Sequence, residues 1–519
     1  MAARKTYEIP LNRVEGDLEV RLDVDEGVVV DAWSAGTMFR GFEKLLVGRG
    51  ALDGLVVTPR ICGICSTTHL LAAAKALDMI AGVTPPPNGV RLRNVALMAE
   101  LVQSDLRHAI LFFLVDLAGP AYRHHPLHEE ALRRFEPLRG ESWIQAVMET
   151  KKILEITAMI AGQWPHSSFM VPGGVAFMPH STELLQSRYI LGRLRSWYEE
   201  QVLGCRLDRW REVTSAALLD EWLDESPAHR ESVLGFFIRF ARSSGLDATG
   251  RGHDTFLSFG SLDLPDGTDV ASPDGGPHLI PAGFARGTEV ESFAPEFITE
   301  DVSHSLAALH EGALHPSEGA TDPVVGEHGS RYSWAKAPRY RGLPAETGPL
   351  AEAIVAGDPF FRDLVAREGA GTFARQLARI VRPARVLPAM ETWIAEVAAS
   401  DTEPMYHACP PIEEGRGYGV IEAARGALGH WVEVRGGRIT RYQVITPTTW
   451  NGSPRDSTGT RGPWEEALVG TVIAEPNDPV EAGHVIRSFD ACLVCAVHAV
   501  DLRRAPGALP PLPAASRPR

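Results

Sequence analysis

Two short cysteine pairs at opposite ends of the chain constrain it more than any other feature. Arg60-Ile61-Cys62-Gly63-Ile64-Cys65 runs on through Ser66-Thr67-Thr68-His69, and Asp490-Ala491-Cys492-Leu493-Val494-Cys495 runs on to His498. Each pair sets its thiols at i and i+3. Both sulfurs can then turn toward one point from a helical turn or a tight loop, so each pair is a two-thiolate claw. The claws use four of only 6 cysteines among 519 residues. That concentration of soft ligands suggests one shared metal centre, with everything between the claws acting as the body that brings them together.

Cys205 and Cys409 remain, too few for a disulfide framework, and each reads as a buried structural thiol; Cys409 also has His407 close by. Lys and Arg number 51 against 66 Asp and Glu, a net charge of -15 that argues against phosphate-backbone binding and leaves no nucleic-acid partner expected. The first residues lack the apolar core of a signal peptide, and the longest apolar run, Ala109 to Val115, is closed by Asp116, too short to span a bilayer. A soluble chain without direct membrane insertion is expected, cytoplasmic or held at a membrane through a partner subunit. By length alone the chain is worth roughly three to four domains, or one large multi-lobed subunit.

Along the chain, residues 7–60 read as a β-rich lobe. Leu18, Val20, Leu22 and Val24 alternate with charges, and Glu26-Gly27 supplies a hairpin turn. The stretch after the first claw is helix-forming, with Ser66, Thr67 or Thr68 as N-cap, which would place the thiols at a helix N-terminus whose free N–H groups lower a thiol pKa. Helical spacing from Asn88 to about Leu117 predicts a long helix, followed by others over Trp143–Ala161, Thr182–Val202, Phe361–Val381 and Met390–Ala398. Residues 61–400 are thus a mainly helical body with a loop-rich insert at 260–348. Residues 401–498 form an α/β lobe whose last two strands are separated by Gly436-Gly437. The fold class expected is α+β, mainly α: a long-helix bundle core with smaller N-terminal and C-terminal β regions.

Two CxxC pairs most often hold a structural zinc, yet such sites usually separate their pairs by ~15–20 residues, far less than the interval between Cys65 and Cys492. A zinc joining the chain's ends, in an interaction protein, stays open on spacing alone. A thioredoxin-like redox pair lacks its βαβ context.

The flanking residues carry more information. Arg60 to Cys65 with His69 matches an RxCGxCxxxH motif, and Asp490 to His498 resembles DPCxxCxxH. Arg13-Val14-Glu15-Gly16 looks like RxEG, Glu422 to Leu428 like an EAPRG segment, and Pro447-Thr448-Thr449-Trp450-Asn451 like the segment after it. In these residues the chain resembles the large, catalytic subunit of nickel-iron hydrogenases from about residue 8 to 498, and residues 1–498 are expected to form a single multi-lobed domain. The resemblance implies reversible heterolytic cleavage of H2, chiefly in the uptake direction. It implies that Cys62 and Cys492 are terminal nickel ligands and that Cys65 and Cys495 bridge nickel to an iron bearing CO and two cyanides. Cys492 and then Glu15 would be proton stations, although by itself Glu15 reads as a turn residue paired with Arg13. Arg425 would hang over the open metal position, with Asp490 and, more loosely, Asp105 as its carboxylate partners; Asp105 could equally be a solvated or helix-pairing charge. Thr448 would donate to a cyanide, and His69 would sit near a bridging sulfur. Glu43 and His498 would bind a magnesium, or an iron, ion.

The resemblance further implies a small partner subunit carrying the iron–sulfur clusters, since this chain has no cysteines to spare for them. Nickel-insertion proteins would load the centre, and a maturation endopeptidase would then remove residues 499–519 after His498. A hydrogen-sensing subunit of low turnover is the alternative from the same family. The cysteine-free relative in quinone-reducing complexes is excluded by the four thiols. The chain departs from the family pattern where Ala491 and Ala424 replace prolines, and where Asp17 replaces a histidine. These changes free a fixed φ near the centre without deleting a ligand, so altered packing or gas sensitivity is expected rather than lost metal.

Overall fold

The computed structural model describes residues 5–16, 18–307, 312–323, 329–400, 402–475 and 478–496, the side chains of Cys495 and Ala496 excepted. His498, Asp17 and the extension at 499–519 therefore lie outside the described residues. The fold is mainly α with small antiparallel sheets.

Helices Pro87–Arg107, Glu141–Ala161, Ser181–Trp197 and Thr372–Ala399 pack on one another around a ring and form the bundle. Their apolar faces supply the main core, including Val95, Leu101, Ile153, Leu191, Leu377 and Trp393. The expected Asn88–Leu117 helix is regular only to Arg107, after which a π-helical turn over His108–Phe113 and a 3-10 turn over Leu114–Ala118 redirect it. The two helices expected at Phe361–Val381 and Met390–Ala398 resolve differently. A short helix covers Pro359–Glu368, and Thr372–Ala399 runs unbroken through Pro383 and Pro388. Burial on several sides holds that helix together where an exposed one would break at proline.

The three-stranded sheet Lys5–Pro10, Leu18–Asp25, Val28–Gly36 turns at Glu26-Gly27 as expected and buries Leu18, Val20, Leu22 and Val24. Its apolar face lies on Trp464, Val485, Ile486, Phe489 and Leu493, so the chain's two ends share one core. A second meander, Gly415–Ala423, Gly426–Arg435, Arg438–Ile445, packs on the Ser66–Ala81 helix and turns at Gly436-Gly437. Cys205 and Cys409 are half-buried rather than buried, and among the described residues no disulfide forms.

Candidate metal centre

The first claw sits where a 3-10 turn, Thr58–Arg60, hands over to the Ser66–Ala81 helix. Cys65 itself is the N-cap and makes no side-chain capping bond, so none of Ser66, Thr67 or Thr68 caps this helix. Two of the first-turn N–H groups are taken up away from the thiols. The buried Glu100 carboxyl takes the N–H of Thr67 at 2.8 Å, the N–H of Thr68 at 3.0 Å and the Thr68 hydroxyl at 2.5 Å. Burial pushes this carboxyl up to about 7, against the pull of those donors.

The second claw is held by backbone from the other end of the chain. Glu15 forms a parallel bridge with Cys492: its N–H donates to Ala491 O at 3.2 Å, and its carbonyl accepts from Leu493 N at 2.6 Å. Gly16 makes this approach possible. Its φ is +88°, and a Cβ there would lie 2.9 Å from Val494 N. From the third direction, the N–H of Cys492 donates to Thr448 Oγ1 at 3.1 Å. Thr448 is therefore an acceptor toward the claw, with its own proton left to give elsewhere.

Cys62, Cys65 and Cys492 meet in one buried cluster with Ile64 and Val494 against it, and Cys62 Sγ lies 3.7 Å from Cys492 Sγ. Among the described residues no group of three or more His, Cys, Asp or Glu side chains closes into a metal cage; the Cys495 side chain that would add a fourth thiol to this cluster lies outside the described residues. Arg425 stands over the cluster at the tip of the hairpin joining Gly415–Ala423 to Gly426–Arg435. Gly426 (φ +119°) is required there, because a Cβ would fall 2.4 Å from Gly348 N. The Arg425 Nε lies 3.0 Å from Asp490 Oδ1 and donates to Asp490 O at 3.1 Å, while its Nη1 is buried without a hydrogen-bond partner. Burial opposes the charge on Arg425, but Asp490 and the thiolates of Cys492, Cys65 and Cys62 outweigh it and hold the guanidinium cationic. An unpaired donor nitrogen beside clustered soft thiols suits a metal centre carrying acceptor ligands.

Asp490 takes its place with a left-handed φ of +61°. Burial would raise its pKa, yet Arg425, His108 and Arg379 together hold it below the usual carboxylate range. Asp105 departs from expectation. Its oxygens accept from Arg382 Nε at 2.8 Å and Nη2 at 2.7 Å, and from Arg379 Nη1 at 3.3 Å, so its described ion pairs leave out Arg425. One residue earlier, Ser104 lines the cavity of about 110 Å³ that Arg425 shares with Glu15, Ile64 and Phe112. The helical rotation of one position turns the Asp105 carboxylate toward Arg379 and Arg382 instead.

Arg379 and Arg382, with Arg375, had no assigned role from sequence. Arg379 bridges Asp105 and Asp490 and donates to Ala424 O at 3.1 Å; Arg382 donates to the same carbonyl at 2.8 Å. Arg375 pairs with Glu346 and lies over the Phe489 ring at 3.8 Å. Their i, i+4, i+7 spacing along one face of this helix was the available signal, since three arginines on one buried stripe require partners.

Glu15 is half-buried at the cavity wall; burial raises its pKa, reinforced by Cys62 and opposed by Arg425. His69 is buried in the first turn of its helix, where burial pushes it down to about 4, and its Nδ1 lies 3.0 Å from His430 Nε2. Glu43 accepts from Val444 N at 2.9 Å through Oε1, while Oε2 is buried without a hydrogen-bond partner. Around it lie Lys336, Thr321 and Glu300, with Lys336 Nζ 2.8 Å from Glu300 and 2.7 Å from Gln443. An orphaned carboxylate oxygen fits a hard cation; these neighbours come from distant segments and left no local trace in the sequence.

A family model described as nickel-dependent hydrogenase matches residues 40–116 and 236–498. The chain is 30% identical over 522 residues to the periplasmic NiFeSe hydrogenase large subunit of Desulfomicrobium baculatum, with 94% of each chain covered. It is 27% identical over 572 residues to the hydrogenase-2 large chain of Escherichia coli (strain K12), covering 96% of this chain and 98% of that one. Among solved structures, that of the Ni-Fe-Se hydrogenase from D. vulgaris Hildenborough in the reduced state superposes with a TM-score of 0.80 at 29% identity, covering 96% of this chain and 100% of that one. Both claws fall within the matched residues, and the chain belongs to the nickel-dependent hydrogenase family.

Proposed function

We propose that this chain is the catalytic large subunit of a nickel-iron hydrogenase, an oxidoreductase that takes up H2 and splits it heterolytically into protons and electrons. The observation that carries the reading is the convergence of Cys62 and Cys492, 430 positions apart, to 3.7 Å between sulfurs beneath the Arg425 guanidinium. Cys62, Cys65, Cys492 and Cys495 would hold nickel, with iron bound through two of these thiolates and carrying CO and two cyanides. When bound, such a centre supplies the two-electron redox site at which H2 is cleaved.

The chain's own residues then handle charge and protons. Cys492 Sγ takes the proton and Glu15 receives it; the raised pKa of Glu15 brings the carboxylate closer to the proton affinity of a thiol, which eases transfer in both directions. Arg425 places a fixed positive charge over the claws and keeps Nη1 available as a donor, while Asp490 fixes its orientation. Thr448, whose oxygen accepts from Cys492 N, would offer its hydroxyl proton to a cyanide. Glu43 and His498 would bind a magnesium or iron ion. The electrons leave through a small subunit carrying iron–sulfur clusters, and a maturation endopeptidase trims residues 499–519 after nickel-insertion proteins have acted. No described helix is long and apolar enough to cross a membrane.

Purification of the chain with its small subunit tests this. Dye reduction under H2, together with infrared bands of iron-bound CO and cyanide, is the expected result. A complex with those bands but without turnover would instead make the chain a hydrogen sensor.

A further inference from the structure

Behind the first claw three buried polar side chains form a line. His69 Nδ1 lies 3.0 Å from His430 Nε2, and His430 Nδ1 lies 2.9 Å from the Tyr442 hydroxyl. His69 and His430 belong to the interface where the Ser66–Ala81 helix packs on the meander, Tyr442 stands on the next strand, Arg438–Ile445, and each is almost wholly removed from solvent. Neighbouring strands carry His430 and Tyr442, and Tyr442 continues into tight packing against Gly54, where an added Cβ would lie 3.4 Å from its ring.

The chemistry of these groups gives the line a direction. Burial pushes the Tyr442 hydroxyl well above its usual range, so it keeps its proton. Its described hydrogen bond is the one to His430. Accepting there would leave a buried O–H unpaired at a cost of about 1–3 kcal/mol, whereas donating satisfies it. With Nδ1 of His430 accepting from Tyr442, the neutral ring carries its hydrogen on Nε2 and donates to His69 Nδ1. His69 is then the Nε2–H tautomer. The charge acting most strongly on that ring is that of Cys62.

We infer that His430 and Tyr442 are positioning residues that lock His69 as an Nε2–H donor toward the thiolate side of the centre. The inference rests on the proposed nickel-iron reading and assigns a role to two side chains outside the motifs. A ligand's ring orientation and tautomer are commonly set by the hydrogen bond made at its other nitrogen, and here one more histidine and a tyrosine extend that control. Losing the Tyr442 donor lets both rings exchange tautomer, turning His69 Nε2 from donor to acceptor. An acceptor in place of a donor then faces the charge of Cys62, and the thiolate becomes more electron-donating.

Infrared spectra of the purified heterodimer, with nickel and iron measured on the same samples, test this. Tyr442→Phe and His430→Phe are expected to retain metal while the carbonyl band moves to lower wavenumber. His430→Gln, whose amide can still donate to His69, is expected to keep the wild-type band. Metal-replete Tyr442→Phe and His430→Phe proteins with unmoved bands would overturn the inference. So would loss of metal from His430→Gln and Tyr442→Phe together, since the line would then be holding the fold rather than the tautomer. Absence of carbonyl bands in the wild-type protein would instead count against the nickel-iron reading.

Discussion

The two claws carry the same ligand spacing but are built by opposite means. Cys65 opens a 16-residue helix whose first N–H groups are clamped by Glu100, so the first claw is largely a product of one local element and one long-range carboxyl. The second claw has only a four-residue turn of its own, Leu493–Ala496. It is fixed by Glu15 from the connection between the first two strands, by Thr448, and by Arg425 and Arg379 acting through Asp490. A site of that kind forms only once segments from both ends of the chain have met, the slowest sort of contact for a chain to make. The first claw is a platform, and the second is closed onto it.

The largest departure should come where the two claws meet the proton route. Glu15→Gln keeps the backbone bridge to Cys492 and removes the proton acceptor, so H2 uptake should fall about 10²–10⁴-fold with nickel content unchanged, the usual worth of general acid–base catalysis. Uptake assays on metal-analysed protein check it, and parallel loss of nickel would mean that Glu15 is a structural residue.

Next in size is Arg379→Met. It leaves Asp490 and Asp105 short of one buried cation and should destabilise the protein by about 3 kcal/mol, at the low end for a broken buried pair because Arg425 and Arg382 remain. Denaturant unfolding measures this, and a change under half that size would show that Arg379 is redundant. Gly16→Ala places a Cβ in a left-handed conformation against Val494 and should cost about 1–3 kcal/mol, with the second claw loosened and the first intact. Unfolding midpoints combined with nickel content of the two variants would separate stability from claw closure.

The mildest test concerns the first claw. Because the folded Glu100 pKa is raised from 4.5 to about 7, its contribution to stability is full below 4.5 and is lost as pH rises through about 7. Glu100→Gln should remove that slope. Midpoints recorded across this pH range would show a flatter profile in the variant; an unchanged slope would assign the pH dependence elsewhere.

Much of the centre could be read directly from the chain because its motifs are short and contiguous. Cys62, Cys65 and Cys492 do converge, Arg425 does stand at a hairpin tip over them, and the N-terminal Arg13-to-Gly16 segment does reach the second claw. What escaped was whatever depends on rotation or on distance. Asp105 faces Arg382 because a helix turns 100° per residue, a difference that a linear motif does not record. Glu100, His430 and Lys336 act across the fold on residues that are remote in sequence, so no spacing announces them. The Thr372–Ala399 helix runs through two prolines because tertiary burial outweighs local propensity; of its three inward arginines only Arg382 falls in the break expected after Val381.

The central claim is that both claws serve one centre. Nickel and iron content of the purified wild-type protein, of Cys65→Ala and of Cys492→Ala tests it most directly. Nickel and iron together in the wild type, with nickel lost from both variants, is the predicted result; wild-type nickel retained in either variant, or zinc alone in the wild type, would contradict it.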